Sequence, residues 1–280
     1  MTTQNHPYHI ISPSPWPLLR GALSITSLLG IILWSNNQGT ILIFVRLLFL
    51  TTVSKIWWRD VSRESSWQGF HSKKVVAGLR IGILLFIASE VLFFFSFFWT
   101  FFHRRLAPNL EIGGVWPPMG TIPLNPFQVP LLNTLILLSS GITVTWSHHA
   151  LLKNNNSRIK FRLLITILLG AYFTLLQGWE YWDASYAISD SIFGSRFFLA
   201  TGFHGLHVLI GTIFLIVSYI RHSLNIFSKT HHLGFEIAIW YWHFVDVVWL
   251  FLYTFLYWWS FFAISTTKYI WFPIKRFTHK

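Results

Sequence analysis

The chain alternates long apolar runs with short polar stretches, and seven of these runs have the length of a membrane-spanning helix. A helix needs about 20 consecutive apolar residues to cross the hydrocarbon layer of a bilayer. The pattern therefore predicts an all-α, polytopic membrane protein with a single seven-helix domain over residues 1–262, followed by a basic C-terminal extension at 263–280. The predicted helices cover residues 16–34, 40–57, 79–102, 129–152, 161–182, 196–220 and 234–262.

Two of the connections between these runs are long. Residues 58–78 carry paired charges and aromatic side chains, which are typical of a headgroup interface. Residues 103–128 are rich in proline and glycine, so we expect an ordered loop without regular secondary structure.

The distribution of Lys and Arg predicts the orientation of the chain. Before the C-terminal tail, only Arg104, Arg105 and Arg196 fall on the face opposite the N-terminus. Because short basic connections stay on the negative side of a membrane, the N-terminus is predicted on the cytoplasm-like or matrix-like side.

Composition supports a membrane protein and narrows its chemistry. Only 11% of the residues are charged, against about 25% in soluble domains. Most of the basic residues behind the net charge of +12 lie between the apolar runs, so the expected acidic partner is the phospholipid headgroup layer and not nucleic acid. The chain has no cysteine, which excludes disulfides, thiolate-held zinc and iron–sulfur clusters.

Glu90 is a single carboxyl near the middle of the third run. A charge at that depth costs at least about 2.5 kcal/mol, so such a residue normally has a partner or a function. Phe86, Phe94 and Phe97 share its side of the helix, at spacings of four and seven residues. Two interpretations stay open: a neutral acid hydrogen-bonded to a neighbouring helix, or a proton antenna.

The last run contains a second set of ionisable residues. At 3.6 residues per turn, Glu236, His243 and Asp246 fall on one narrow stripe. We expect a buried polar network that fixes helix packing, with proton or ion conduction as the alternative. Glu180, at the end of the fifth run, could join this network or that of Glu90.

Histidine pairs in the apolar runs are candidate metal or haem ligands. His204 and His207 are three residues apart and share a helix face, but no glutamate-bearing motif accompanies them. Packing and interfacial roles are therefore favoured, and no metal site and no catalytic residue are predicted. By itself the chain is typical of a scaffold, although a proton-coupled transporter and a haem-carrying electron-transfer subunit remain alternatives.

Specific sequence blocks identify a family. The chain resembles subunit III of the mitochondrial cytochrome c oxidases, within the haem–copper oxidases, from residue 12 to about 260. The blocks that carry the resemblance include SPSPWPL (12–18), WWRDVSRES (57–65), ASEVLFFFSFFWTFFH (88–103) and HHLGFEIAIWYWHFVDVVWLFLY (231–253).

The resemblance implies a multi-pass subunit of the mitochondrial inner membrane, with the N-terminus in the matrix and the C-terminus on the intermembrane side. Its first two helices and its last five would form a cleft filled with phospholipid. Its partners would be oxidase subunits I and II, further small subunits, membrane phospholipids and a respiratory supercomplex. Haem and copper would be held by neighbouring subunits, while this one supports proton uptake, oxygen access and durability.

Site residues are carried over from the family by motif. Trp58, Arg63, Glu64 and His71 would hold a phospholipid headgroup on the matrix side. Arg80 and Arg221 would anchor anionic lipid, including cardiolipin. Glu90 would be the family's membrane-embedded carboxylate.

Overall fold

A computed structural model describes residues 6–36, 40–108, 113–118 and 120–262. Within these ranges the fold is all-α, with no strand, and seven helices are long and apolar enough to cross a membrane, as predicted. The 263–280 extension lies outside the described residues. The helices are α1 (Trp16–Ser35), α2 (Thr40–Ser66), α3 (Lys73–Leu106), α4 (Val129–Leu152), α5 (Asn156–Asp183), α6 (Ile192–Ser223) and α7 (Leu233–Leu252). A π-helical segment, Tyr253–Trp259, continues α7.

Several helices extend beyond the apolar runs that predict them. α2 continues to Ser66 and α3 begins at Lys73, so the connection between them is only residues 67–72, shorter than predicted. Basic side chains can leave the hydrocarbon layer while their backbone stays helical. Hydropathy therefore locates the membrane crossing and underestimates the length of the helix.

The chain divides into two compact units, residues 1–81 and residues 82–280. In the first unit α1 and α2 form an antiparallel hairpin. Trp16 Nε1, at the start of α1, donates to Asp60 Oδ2 near the end of α2 at 2.8 Å. Nearer the turn of the hairpin, Arg46 NH1 donates to the carbonyl oxygen of Thr26 at 2.7 Å. This bond provides Arg46 with an acceptor inside an apolar run.

The second unit contains the rest of α3 and helices α4 to α7. Helices α4, α5, α6 and α7 form a closed ring of neighbours, in which α4 packs on α5, α5 on α6, α6 on α7 and α7 on α4. Helix α7 has the largest buried fraction of the seven spans. It is therefore the central element of this unit.

The indole of Trp242, on α7, joins the other three helices of the ring. It is fully buried, and its Nε1 donates to Ser140 Oγ of α4 at 2.8 Å. A Cβ at Gly170 of α5 would lie 2.6 Å from the indole, and one at Gly211 of α6 would lie 3.0 Å from it. These two glycines therefore form the slot that accepts the ring.

A second tryptophan, Trp249, lies two turns further along α7 and repeats this arrangement. Its Nε1 donates to Thr134 Oγ1 of α4 at 3.0 Å. Its ring meets Phe173 of α5 edge-on at 4.8 Å and His204 of α6 at 5.2 Å. The core thus consists of stacked aromatic layers supplied by α7.

The described part of α3 in the second unit contacts α6 and α7 through phenylalanines. Phe93 meets Phe203 of α6 edge-on at 5.0 Å between ring centroids. Phe94 and Phe98 face Phe244 and Phe251 of α7 at 6.1 Å. This aromatic face is what places the middle of α3 against α6.

Two described loop residues of this unit, Trp116 and Tyr186, are buried against aromatic side chains of the helices. In the loop before α4, Trp116 lies 5.7 Å from both Phe101 and Phe193. Between α5 and α6, Tyr186 is buried against Phe193 and Phe197. Burial raises the pKa of the Tyr186 hydroxyl above its usual value, so this group stays protonated.

The glycine slot leads to a stability prediction. In Gly170→Ala, the new methyl group would come within 3.0 Å of both Trp242 and Thr212 Oγ1, and we expect the protein to lose about 1–3 kcal/mol. The measurement is the thermal unfolding midpoint of the purified protein in detergent. Gly178→Ala on the same helix is the control, because nothing lies within 4 Å of its Cβ position. That change should be neutral or stabilise by about 0.5–1 kcal/mol, and equal midpoints for the two variants would contradict the slot.

Candidate functional site

Glu90 is paired with a histidine of another helix. Its Oε2 lies 2.9 Å from Nε2 of His207 on α6. Both residues lie near the middle of their helices, which are 34 and 32 residues long. The side chains of Glu90 and His207 are only 22% and 10% exposed. The structure therefore places a carboxyl–imidazole pair at mid-depth of two candidate membrane spans.

The other ring nitrogen of His207 determines how many protons the pair can hold. Nδ1 lies 2.7 Å from the carbonyl oxygen of Phe203, and a carbonyl oxygen only accepts, so Nδ1 carries a hydrogen. One proton then lies between Glu90 and Nε2. The pair is either a carboxylic acid donating to a neutral imidazole or a carboxylate accepting from an imidazolium, and it is neutral overall in both forms.

Aromatic rings surround this pair. His207 meets Phe94 edge-on at 5.1 Å and stacks on Tyr241 at 6.2 Å. Phe86 stacks on Tyr241, and Phe97 on Phe203, so the phenylalanines on Glu90's side of α3 contact α6 and α7. Such an apolar enclosure strengthens the hydrogen bond between the two groups.

Sequence reasoning missed the partner of Glu90. The spacing of His204 and His207 predicts a shared helix face, but the two rings have different neighbours. His204 is fully buried, and its Nε2 donates to the carbonyl oxygen of Val245 at 3.2 Å. The pairing could have been predicted because Glu90 and His207 lie in different apolar spans and each needs a hydrogen-bonding partner there.

The predicted stripe on α7 is divided in the structure. His243 Nδ1 and Asp246 Oδ2 lie 3.8 Å apart, and His243 Nε2 lies 3.0 Å from Thr145 Oγ1 of α4. Asp246 is buried, whereas the side chain of His243 is 43% exposed. Glu236 is half-buried in the first turn of α7, close enough to interact electrostatically with His148. The structure thus joins His243 to Asp246 and gives Glu236 a separate neighbour.

Glu180 joins neither of these groups. It is buried at the end of α5, three residues after Gln177, whose Nε2 donates to the hydroxyl of Tyr257 at 3.4 Å. Tyr257 belongs to the π-helical segment after α7. A further polar cluster therefore lies at this end of the second unit.

Four of the predicted headgroup residues lie around the α2–α3 turn of the first unit. The turn folds back on α2, since the backbone N–H of Phe70 donates to the carbonyl of Glu64 and those of Trp67 and Gln68 to the carbonyl of Arg63. The Trp58 side chain is 60% exposed and lies 5.5 Å from the guanidinium of Arg20. Arg63 is also exposed.

The segment before α1 packs on the same turn. His9 stacks on Phe70 at 5.1 Å and lies 5.9 Å from the ring of His71. Ser72 Oγ donates to the carbonyl oxygen of Pro7. His71 is therefore positioned by both the turn and the N-terminal segment.

The two remaining basic residues are separated along the chain. Arg80 is an exposed residue of α3 in the first unit. Arg221 belongs to the second unit, where its guanidinium lies over Phe227 at 4.8 Å. Gly234 makes room for it, since a Cβ there would lie 2.9 Å from Arg221 NH1.

No group of three or more His, Asp or Glu side chains within the described residues has a geometry that could hold a metal ion. One histidine pair lies at the end of α4 and the start of α7, where Nε2 of His148 and Nε2 of His232 lie 3.5 Å apart. Their rings meet edge-on at 5.5 Å. These two histidines form a pair and not a metal cluster.

Comparison with known proteins identifies the family. The family model for cytochrome c oxidase subunit III matches residues 6–261. A Drosophila melanogaster protein named cytochrome c oxidase subunit 3 is 58% identical over 261 residues, which cover 92% of this chain and 99% of that protein. Proteins of the same name from Paracentrotus lividus and Homo sapiens are 56% and 54% identical over 260 residues, covering 93% of this chain and all of theirs. This chain therefore belongs to the cytochrome c oxidase subunit III family, and it is a membrane-spanning subunit of that oxidase.

Proposed function

We propose that this chain works in the mitochondrial inner membrane as a non-catalytic core subunit of the proton-pumping oxidase. It holds structural phospholipids and supports proton uptake, oxygen access and durability of subunit I during electron transfer from cytochrome c to oxygen. Haem and copper belong to neighbouring subunits, and the N-terminus lies in the matrix. The match to the family over residues 6–261 favours this function over a stand-alone transporter or a haem-carrying subunit.

The Glu90–His207 pair is the observation that supports a role in proton uptake. The pair is neutral, with one proton shared between Glu90 and Nε2 of His207. It can therefore gain one proton or lose the shared one, and either step changes the net charge of the pair by one. Glu90 remains 22% exposed on its side chain, so the pair is not sealed inside the second unit. A group of this kind can exchange protons with neighbouring polar groups while staying inside an apolar wall.

Lipid holding is supported by the chemistry of the α2–α3 turn. Arg63 is exposed near the turn, next to Glu64 in the chain, and Trp58 is exposed about two turns before the end of α2. Tryptophan rings and basic groups are the side chains that lie at headgroup level in membrane proteins. Each Lys or Arg near the surface contributes about 1 kcal/mol to attraction of anionic lipid. Arg80 and Arg221 are assigned to further anionic lipids, including cardiolipin, on the family resemblance.

Oxygen access is proposed on the resemblance, through a lipid-filled cleft between the first two helices and the last five. Oxidase subunits I and II and smaller subunits are the proposed neighbours, with a respiratory supercomplex as the wider assembly. Oxygen is apolar, so a phospholipid interior is a suitable route for it.

The Glu90→Gln variant tests the proton role. The glutamine amide can still donate to Nε2 of His207, so the helix contact is kept while the exchangeable proton is removed. We expect proton uptake by the oxidase complex during turnover to slow severalfold, as measured with a pH-indicator dye in stopped flow. Asp183→Asn, which removes an exposed carboxylate at the end of α5, is the control and should leave the rate unchanged. Equal uptake kinetics for Glu90→Gln and the parent complex would leave Glu90 with a structural role only.

A triple variant tests the headgroup site. Replacing Arg63, Glu64 and His71 by alanine should reduce the phospholipid that copurifies with the complex and shorten its active lifetime, with no change in the haem spectrum. Loss of Arg63 alone should weaken headgroup binding about fivefold. Lipid is quantified as phosphorus per haem, and Arg158→Ala with Lys160→Ala in the α4–α5 region is the control. A triple variant with the parent lipid content would refute the assignment.

A further inference from the structure

Three arginines of the second unit lie at the end of α3 and the start of α6. Arg104 and Arg105 belong to the last turn of α3, and Arg196 is near the start of α6. Before the C-terminal tail, they are the only Lys or Arg residues that the sequence places on the face opposite the N-terminus. We call them the arginine cluster. None of the roles proposed above uses it.

The contacts between α3 and α6 show how these two helices are aligned. Glu90 meets His207, whereas Phe97, further along α3, stacks on Phe203, which comes earlier in α6. The two helices therefore run in opposite directions along a shared seam.

This alignment brings two members of the cluster together. Arg104 comes seven residues after Phe97, and Arg196 comes seven residues before Phe203. Seven residues are almost two full turns, so each arginine keeps the orientation of its phenylalanine at the same level of the seam. Arg104 and Arg196 are indeed close enough to interact electrostatically.

The described residues do not balance these charges. Arg104 and Arg196 are both half-buried, and neither has an ion pair or a hydrogen bond among those residues. Neighbouring like charges repel each other, most strongly where water is partly excluded. The 263–280 extension is basic and has no acidic residue, and Glu111, outside the described residues, can offset only one charge of the cluster. An anion from outside this chain would therefore stabilise the pair.

Arg105 is engaged by a different partner. Its guanidinium lies over the ring of Trp259, 3.8 Å from the centroid, in the π-helical segment after α7. A cation–π contact holds the guanidinium without neutralising its charge. Arg105 therefore adds positive potential, while Arg104 and Arg196 are the two side chains that can contact a ligand.

The surroundings of the pair favour an amphipathic anion. One turn further into the span from Arg196, Leu199 is 42% exposed, and Trp99 of α3 is 62% exposed. Basic and tryptophan side chains at the ends of membrane helices lie where headgroups meet acyl chains. A phospholipid offers both a phosphate for the guanidiniums and an acyl chain for the apolar side chains. A free phosphate or an acidic protein segment offers only the charge.

We propose that Arg104 and Arg196 bind the phosphate of an anionic phospholipid whose acyl chains lie along α3 and α6. Guanidinium groups suit this ligand, because each presents paired N–H donors to phosphate oxygens. The site is additional to the α2–α3 turn, Arg80 and Arg221. It requires that the chain spans a membrane, and it does not depend on the lipid role of the turn, which has its own variant.

A photoactivatable lipid tests the site. The oxidase complex is reconstituted in phosphatidylcholine nanodiscs that contain a trace of phosphatidylglycerol or of phosphatidylcholine, each with a diazirine on its acyl chain. After illumination, mass spectrometry measures the adducts on the peptide that contains Leu199. We expect phosphatidylglycerol to label this peptide about fivefold more than phosphatidylcholine, or better. Equal labelling by the two lipids in the parent complex would overturn the proposal, and this comparison needs no variant.

Substitutions test the two arginines. Arg104→Gln with Arg196→Gln should bring the two lipids close to equal labelling, whereas lysine at both positions keeps the charge and should keep most of the preference. Lys153→Gln with Lys229→Gln removes two exposed charges elsewhere in the second unit and should leave the preference unchanged. The haem spectrum checks that each complex is assembled. A preference that persists in the double glutamine variant would contradict the assignment.

A competitor distinguishes the sources of the anion. Millimolar inorganic phosphate at constant ionic strength should leave the preference for phosphatidylglycerol intact. If phosphate abolishes it, the arginines bind free phosphate and the lipid assignment is wrong. An acidic segment of another subunit over the pair would exclude the lipid and give equal labelling in the parent complex, which also overturns the proposal.

Discussion

The second unit depends on the insertion of Trp242 between two glycines. Its indole fills the space left by Gly170 on α5 and Gly211 on α6 and bonds to Ser140 on α4. Membrane helices gain little from burying apolar surface, because lipid is as apolar as their own side chains. Close packing and a satisfied indole N–H must therefore hold the four helices together. Trp249 repeats the contact two turns away, so α7 determines both the spacing and the register of its neighbours.

That register positions the polar groups at mid-depth. Once α6 is fixed against α7, His207 faces α3 and meets Glu90, while His204 faces inward and bonds to the backbone of α7. Both histidines thus have a hydrogen-bonding partner inside the apolar core. Asp246 differs, because its Oδ1 has no hydrogen-bond partner among the described residues.

Sequence patterns predict some features of this protein well and others poorly. The apolar runs locate every described membrane span, since about 20 apolar residues are needed for a crossing whatever the tertiary contacts are. They underestimate α2 and α3, because charged residues at the headgroup level continue the helix. Periodicity places Glu236, His243 and Asp246 on one stripe, yet it does not show that Thr145 of α4 contacts His243 or that Glu236 interacts with His148.

By itself, the sequence determined the all-α class, the number of spans and, through its motif blocks, the oxidase family. These follow from hydropathy and from residue order, which are local properties of the chain. Only the tertiary structure decided that Glu90 pairs with His207, 117 residues away, and that Gly170 and Gly211 form a slot for one tryptophan. Such pairings depend on the rotation and axial position of each helix, and these are set by packing between helices that are distant in sequence.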